Sequence, residues 1–184
     1  AGVVRLAGLR CAAGANVTLR HAELLTHPPY GVEDGSLYVG NLRGAQATDV
    51  YTCCGDANGE DYTPQFTQHG FRYVEVRGAA VPLTDEQVAA LEMHTDVQQH
   101  SSLAFSSARL NQLQHLVLWG QKSNIMPGVP TDCPQRDERR GWTGDAAITA
   151  AEAVLNFGMG AVYTRWLKQF ADDQVCACAP VRLC

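Results

Sequence analysis

The sequence predicts a mixed fold in which an antiparallel β-sandwich portion precedes a group of α-helices. Two observations predict it: β-rich segments separated by turn residues occupy the first part, and apolar residues follow a helical period after residue 102. Strands followed by helices favour two domains over an alternating α/β fold. We therefore predict a β-sandwich portion at 1–78, a connector at 79–102, helices of a second domain at 103–175 and an atypical tail at 176–184.

The β-sandwich portion contains segments that are typical of strands. Each is rich in β-branched and aromatic residues, and between them lie Pro, Gly, Asp and Asn residues that suit turns. Short strands at this spacing favour a sandwich. The segments are residues 17–21, 36–39, 48–52 and 71–76.

The connector and the second domain contain helix-start signals. Thr84 followed by Gln87 fits a capping box that opens a short helix. Ser106 or Ser107 can cap a longer helix. Residues 145–156 form a second helix, rich in Ala, and glycines separate it from a third. The apolar stripes of the first and third helices are Leu110, Leu113, Leu116 and Val117, and Tyr163, Trp166, Leu167 and Phe170.

Charge and hydropathy exclude two classes of partner. The net charge of −5 lacks the basic face that nucleic-acid binding needs. No apolar run approaches the ~20 residues of a membrane helix. Residues 1–14 have no charged stretch before an apolar core, so they are not a signal peptide, and the first residue is not Met. We expect neither a nucleic-acid nor a membrane partner. A cytoplasmic location is favoured, with a signal peptide upstream of residue 1 kept as an alternative.

The seven cysteines do not predict a disulfide framework, because their number is odd and their spacing irregular. Cys53 and Cys54 are adjacent in a strand-like stretch and are interpreted as small apolar packing residues. Cys176 and Cys178 could begin a thiolate site, but structural zinc needs four ligands. We interpret them and Cys184 as reduced thiols in a disordered tail. We expect no metal and no cofactor, with a structural thiol or metal protein kept as an alternative.

The densest charge cluster lies at residues 132–145, where four carboxylates, three guanidinium groups and one indole occur within fourteen residues. Pro130 and Pro134 stiffen its entry. Glycoside cleavage needs one carboxylic acid to protonate the departing oxygen and a second carboxylate across the ring. Sugars are also held by carboxylates and by aromatic faces. The loop supplies both kinds of group in Asp132, Glu138, Asp145 and Trp142.

Composition alone leaves alternatives open. Such a loop is also typical of a solvated, salt-bridged surface, and Trp142 can equally be a core anchor. Crowding by aspartates would raise the pKa of Glu138, whereas Arg136 and Arg139 would oppose that shift if they point inward. Spacing does not rank Glu138 above Asp137.

Residues 130–145, read as a continuous string, resemble the signature loop of bacterial α-L-rhamnosidases of glycoside hydrolase family 78. Stretches that resemble the β-domain and the first barrel helices of that family occur in the same order. The resemblance covers about residues 17–174. The supporting stretches are residues 20–24, 40–43, 47–51, 62–76, 104–113, 163–167 and 172–174.

The resemblance implies a catalytic (α/α)6 barrel that hydrolyses terminal α-L-rhamnosyl residues with inversion at the anomeric carbon. It implies that Glu138 is the general acid. By the same resemblance, Asp132, Trp142 and Asp145 contact rhamnose in the −1 subsite and Arg136 orients the site. The implied partner is a rhamnose-containing glycoside.

Two departures from the family pattern qualify this expectation. The family's general base is a Glu beyond residue 184, and Glu152 is interpreted as a solvated residue. Residues 175–184 do not resemble the family's continuation. Too few helices are present to close a barrel, so we expect exposed apolar stripes, association and an inactive chain when it is made alone. A non-catalytic carbohydrate-binding module that uses Trp142 remains the second hypothesis.

Overall fold

The computed structural model describes the backbone of residues 1–126 and 128–182 and the side chains of residues 1–126 and 128–174. These residues form two compact units. Unit 1 comprises Ala1–His94 and Cys133–Arg139, and unit 2 comprises Thr95–Asp132 and Arg140–Cys184. Unit 1 contains the strands and unit 2 the long helices. The predicted mixed fold class is therefore confirmed.

Unit 1 is built from antiparallel strands in small sheets. One sheet has the order β6-β1-β8, a second has the order β5-β2-β7, and a short pair joins β3 to β4. Two 3-10 helices, Gly40–Leu42 and Asp85–Gln87, lie between strands. The strands are β1 (Gly2–Leu9), β2 (Asn16–Ala22), β3 (Leu24–Leu25), β4 (Leu37–Tyr38), β5 (Thr48–Thr52), β6 (Glu60–Tyr62), β7 (Tyr73–Arg77) and β8 (Val88–Glu92).

The predicted strand segments correspond to β2, β4, β5 and β7. The short helix opened by Thr84 is also confirmed, and the Thr84 N–H donates to Oε1 of Gln87 over 3.1 Å. Strands β1, β3, β6 and β8 were not predicted. β1 is buried on both faces for most of its length and so lacks an alternating pattern. β8 lies within the predicted connector and is mostly exposed, so pairing with β1, rather than burial, makes it a strand.

The core of unit 1 forms where β1 and β2 face each other across the sandwich. Alternation along β2 turns Val17, Leu19 and His21 to the buried side, since residues two apart share a face. Leu6 and Leu9 of β1 are fully buried and belong to the same apolar cluster as Val17 and Leu19. This arrangement fixes which side chains of β2 and β5 point inward.

Cys11 and Cys53 form a disulfide, so the expectation that the cysteines are unpaired is wrong for this pair. Cys53 is 3% exposed and packs in the core as predicted, whereas Cys54 is an exposed free thiol and not a packing residue. The spacing of the cysteines in the sequence does not predict this disulfide, because the two Cα atoms approach to 6.1 Å only after the strands assemble.

The described residues of unit 2 form three helices, α1 (Ala108–Ser123), α2 (Thr143–Asn156) and α3 (Gly160–Arg182), which confirms the predicted helices. The N-cap of α1 is Ser107, one of the two predicted caps. The core of unit 2 is small. Its buried cluster consists of Val97, Ile125, Ala153, Phe157, Met159 and Val162.

Three of the four residues in the predicted stripe of α1 are exposed, and Val117 is half-buried. Leu110, Leu113 and Leu116 are 45%, 57% and 59% exposed, as expected for helices that lack partners. In α3, Trp166 is buried but Leu167 is 61% exposed, so only part of that stripe packs.

The backbone of α3 continues to Arg182, so the tail is helical there and the expectation of disorder is wrong. The side chains of Cys176, Cys178 and Cys184 lie outside the described residues, and so does the prediction about their thiols. No helix in the described part of the chain combines the length and apolar character needed to cross a membrane.

Candidate active site

The five residues predicted to act on substrate are divided between the two compact units. Arg136 and Glu138 belong to unit 1, in the segment Cys133–Arg139. Asp132, Trp142 and Asp145 belong to unit 2. The acid candidate and three of the sugar-contact candidates are thus placed by different sets of strands and helices.

The segment Cys133–Arg139 is anchored within unit 1. The N–H of Gly70 donates to the carbonyl of Pro134 over 3.1 Å. A Cβ at Gly70 would lie 2.8 Å from Cγ of Pro134 and 2.9 Å from the nitrogen of Gln135. Only glycine permits this close approach without a shift of the segment. The predicted acid is therefore placed by a glycine that lies far from it in sequence.

Glu138 is held by two guanidinium groups. Nη1 of Arg43 donates to Oε2 of Glu138 over 2.6 Å, and Nη2 of Arg136 lies 3.5 Å from the same oxygen. Nε of Arg43 also lies 3.7 Å from the carboxylate of Asp137. The Glu138 side chain is 29% exposed, so its carboxylate is still open to solvent. The nearest charged partners of Glu138 in unit 1 are cations, whereas the sequence suggested crowding by aspartates.

Arg43 has an unusual backbone conformation, with φ 58° and ψ −118° directly after the 3-10 helix Gly40–Leu42. A non-glycine residue at positive φ costs of order 1–3 kcal/mol and persists where its surroundings hold it. The ion pairs to Asp137 and Glu138 are such a restraint. Sequence reasoning did not single out Arg43, although residues 40–43 were among the stretches that resemble the family.

Arg136 has partners that fix its orientation. Nε of Arg136 donates to the buried sulfur of Cys133 over 3.1 Å, which directs the guanidinium group toward Glu138. Burial raises the pKa of Glu23, and the charge of Arg136 partly offsets this shift. Oε2 of Glu23 accepts a hydrogen bond of 3.3 Å from Nδ2 of Asn41. Glu23 is therefore a second carboxylate beside Arg136 that sequence reasoning missed, although residues 20–24 were among the family-like stretches.

Arg139, the other arginine considered for this role, differs from Arg136. Burial lowers the pKa of the Arg139 guanidinium, and Cys133 opposes that shift. Its Nε is buried without a hydrogen-bond partner among the described residues. The structure thus places Arg136, and not Arg139, against the Glu138 carboxylate.

Unit 2 contains a polar cavity of about 320 Å³. Asp132 and Asp145 both line it, so the structure brings these two predicted residues together. Oδ1 of Asp132 accepts a hydrogen bond of 3.2 Å from the backbone N–H of Arg140. Asp145 lies in the first turn of α2, where the helix dipole favours a carboxylate. The other polar side chains that line the cavity are Gln121, Asn124, Thr131, Thr149 and Glu152.

Glu152 is a third carboxylate of this cavity. Asp145, Thr149 and Glu152 lie on one face of α2, at i, i+4 and i+7. Burial raises the pKa of Glu152, and the hydrogen bond of 2.7 Å from Nδ2 of Asn156 acts in the opposite direction. Glu152 is half-buried at the wall of this cavity, so the interpretation of Glu152 as a solvated residue holds only in part.

Trp142 precedes α2 and is 43% exposed. A core anchor would be buried, so that alternative is not supported. The indole is not among the residues that line the 320 Å³ cavity. An exposed indole can present an apolar face to a sugar, so Trp142 stays a candidate for contact with the sugar.

Comparison with known families gives matches over both parts of the chain. Residues 1–94 match the bacterial alpha-L-rhamnosidase concanavalin-like domain. Residues 98–181 match the bacterial alpha-L-rhamnosidase 6 hairpin glycosidase domain.

Individual relatives agree with these matches. The chain is 42% identical over 162 residues to an alpha-L-rhamnosidase from Streptomyces avermitilis, covering 88% of the chain and 15% of that protein. A crystal structure of the Streptomyces avermitilis enzyme complexed with L-rhamnose superposes with a TM-score of 0.84 at 42% identity, over 93% of this chain and 16% of that one. The alpha-L-rhamnosidase from Dictyoglumus thermophilum gives a TM-score of 0.82 at 41% identity, over 91% and 18%.

Proposed function

The chain belongs to the bacterial alpha-L-rhamnosidase family, and from that membership we propose that it supplies the acid side of a glycosidase acting on terminal α-L-rhamnosides. Three curated relatives each match 88% of the chain, and the chain spans 15 to 17% of their length. The activity is therefore proposed for a longer protein that contains this chain. The observation that carries the proposal is that both parts of the chain match two domains of one enzyme family.

In this proposal Glu138 is the general acid. It gives its proton to the glycosidic oxygen as the bond to the anomeric carbon breaks, so the aglycone leaves as a neutral alcohol. Negative charge develops on Glu138 as the proton leaves. Arg43 and Arg136 contact that carboxylate and stabilise the developing charge.

The sugar-contact roles are proposed for the remaining predicted residues. Asp132 and Asp145 line one polar cavity and can accept hydrogen bonds from rhamnose hydroxyl groups. The exposed indole of Trp142 can pack against the sugar C–H surface. We propose an inverting reaction in which a carboxylate outside residues 1–184 activates the water. Inversion requires that second carboxylate roughly 6.5–9.5 Å from the acid.

Rhamnose release tests the proposed function. We expect the full-length protein to hydrolyse p-nitrophenyl α-L-rhamnoside and the 184-residue chain alone to release no rhamnose. Proton NMR at early times should show β-L-rhamnose first, since inversion changes the anomeric configuration. Release of α-L-rhamnose would refute the inverting mechanism. Rhamnose affinity without any hydrolysis by the full-length protein would instead support the carbohydrate-binding module.

Arg43 provides a second test. We expect Arg43→Ala in the full-length protein to lower kcat about 10- to 100-fold with little change in KM, because a misplaced acid slows the proton transfer without removing sugar contacts. Arg43→Lys should recover only part of the loss, since a lysine cannot contact both Asp137 and Glu138 through one planar group.

The matched control for this test is Arg77→Ala. Arg77 also pairs with a carboxylate, Nε lying 2.8 Å from Oε2 of Glu75, but its side chain is 73% exposed and belongs to no proposed site. Its activity should match that of the unmodified protein. An Arg43→Ala variant with unchanged kcat would show that Arg43 has no positioning role.

A further inference from the structure

A buried polar cluster in unit 1 includes no residue of the segment that carries Glu138. His21, Asp49 and His69 are 0%, 9% and 6% exposed. Nε2 of His69 lies 2.9 Å from Oδ1 of Asp49, and Nε2 of His21 lies 4.0 Å from Oδ2 of the same carboxylate. One possible ligand atom from each residue lies within 4.8 Å of the other two.

The strand register explains why these side chains meet. Asp49 of β5 pairs with Leu19 of β2, and His21 lies two residues further along β2 on the same buried face. His69 reaches the cluster from another direction, because its backbone exchanges two hydrogen bonds with Gly2 of β1. The cluster therefore joins side chains held by both three-stranded sheets.

Three buried polar atoms of the cluster have no hydrogen-bond partner among the described residues. They are Nε2 of His21, Oδ2 of Asp49 and Nδ1 of His69. A buried polar atom without a partner costs about 1–3 kcal/mol, more when it is charged. Two of them, Nε2 of His21 and Oδ2 of Asp49, lie 4.0 Å apart, and an ion bound between them would give both a partner.

The tautomer of His21 identifies the kind of ligand. Nδ1 of His21 lies 3.1 Å from the carbonyl oxygen of Ala47, which can only accept, so Nδ1 carries the hydrogen. In the neutral ring Nε2 then carries a lone pair and faces Oδ2 of Asp49, which also carries lone pairs. Two facing acceptors need a cation or a bridging water between them.

We propose that His21, Asp49 and His69 form a binding site for a divalent transition-metal ion, zinc in the first instance, which is independent of the proposed glycosidase reaction. Two imidazoles and one carboxylate form a set of three protein ligands that zinc accepts when a water molecule takes the fourth position. The Nδ1 contact of His21 to a backbone carbonyl is the outer hydrogen bond that metal-bound histidines commonly make.

The geometry requires a small rearrangement. Tetrahedral zinc places its ligands about 3.4 Å apart, given Zn–N and Zn–O distances of roughly 2.0–2.1 Å. The distance from Nε2 of His69 to the Asp49 carboxylate, 2.9 Å, is shorter than that value, and the distance from Nε2 of His21, 4.0 Å, is longer. The rings of His21 and His69 are stacked with centroids 4.1 Å apart, so ring rotation must bring both lone pairs onto the ion. Ligation through Nε2 of His69 requires that the ring hydrogen move from Nε2 to Nδ1, so a neutral His69 binds the ion without net release of a proton.

Zinc titration of the 184-residue chain tests the proposal. With zinc chloride, isothermal titration calorimetry should show one ion bound per chain. Asp49→Asn, which conserves volume, should weaken binding more than about 100-fold, since loss of even an outer partner costs roughly 10–100-fold.

Thiols elsewhere in the chain require a matched control. The triple variant Cys176→Ser, Cys178→Ser, Cys184→Ser should bind zinc as the unmodified chain does. Cobalt(II) added to this variant should give a spectrum without a sulfur-to-cobalt charge-transfer band. If Asp49→Asn does not fold, nitrogen-15 shifts of the His21 and His69 rings in the triple variant decide the outcome. Unchanged ring shifts with zinc, or binding that disappears with the three thiols, would overturn the proposal and leave a bridging water as the explanation.

Discussion

Replacing Glu138 by Gln in the full-length protein is expected to lower kcat on a rhamnoside with a sugar or alkyl aglycone by roughly 10²–10⁴-fold. Gln has nearly the same shape as Glu and can still contact Arg43 and Arg136 through its carbonyl oxygen. It cannot donate a proton to the leaving oxygen. The loss should therefore appear in kcat with folding preserved, which circular dichroism can verify.

Comparing two substrates with different leaving groups distinguishes proton donation by Glu138 from its other roles. A 2,4-dinitrophenyl leaving group departs as a stable anion and needs little protonation. The Glu138→Gln variant should therefore keep activity on a dinitrophenyl rhamnoside within about ten-fold of the unmodified protein. An equal loss on both substrates would show that Glu138 contributes binding or charge but not a proton.

Asp137→Asn is the matched control for this experiment. Asp137 is adjacent in sequence and also faces Arg43, but its separation from Nε of Arg43 is 3.7 Å, against 2.6 Å for the hydrogen bond from Nη1 to Glu138. We expect a small loss of activity that is similar for both leaving groups. A larger loss of activity in Asp137→Asn than in Glu138→Gln would identify Asp137 as the general acid. Sequence spacing alone does not favour Glu138 over Asp137 for that role.

Removing the Cys11–Cys53 disulfide is expected to lower the free energy of unfolding of unit 1 by about 4 kcal/mol. The bond closes a loop with a sequence separation of 42, and chain-entropy arguments give that magnitude for such a loop. The double variant Cys11→Ala, Cys53→Ala should show this decrease in urea. The unmodified chain should show it only when dithiothreitol is present.

The three tryptophans allow the effect to be localised, because Trp119, Trp142 and Trp166 all belong to unit 2. Tyrosine near-ultraviolet circular dichroism, which includes the stacked pair Tyr51 and Tyr62, reports mainly on unit 1. The tyrosine transition should shift to lower urea. Cys54→Ala, which removes an exposed free thiol, is the control and should leave the transition in place. A double variant as stable as this control would contradict the predicted contribution of the disulfide.

Much of the fold was predictable because its signals are local. The helices α1, α2 and α3 follow apolar spacing, caps and glycine breaks that lie within a few residues of one another. Strands β2 and β5 follow alternation or β-branched content. Strand β8 was not predictable in this way, since its residues are mostly exposed and it exists because β1 pairs with it.

In the candidate site, too, some features follow from local sequence and others depend on tertiary contacts. The sequence by itself determined the chemistry available at residues 132–145 and, through its resemblance to a family, which carboxylate to favour as the acid. Only the tertiary structure decided what surrounds those groups. Arg43 meets Glu138 across a sequence separation of 95, and Cys11 meets Cys53 across 42. Asp49 meets His21 through strand register, and His69 joins them through a bridge to β1. Periodicity and capping act over one or two turns of chain, whereas these contacts form only when packed strands bring distant segments together.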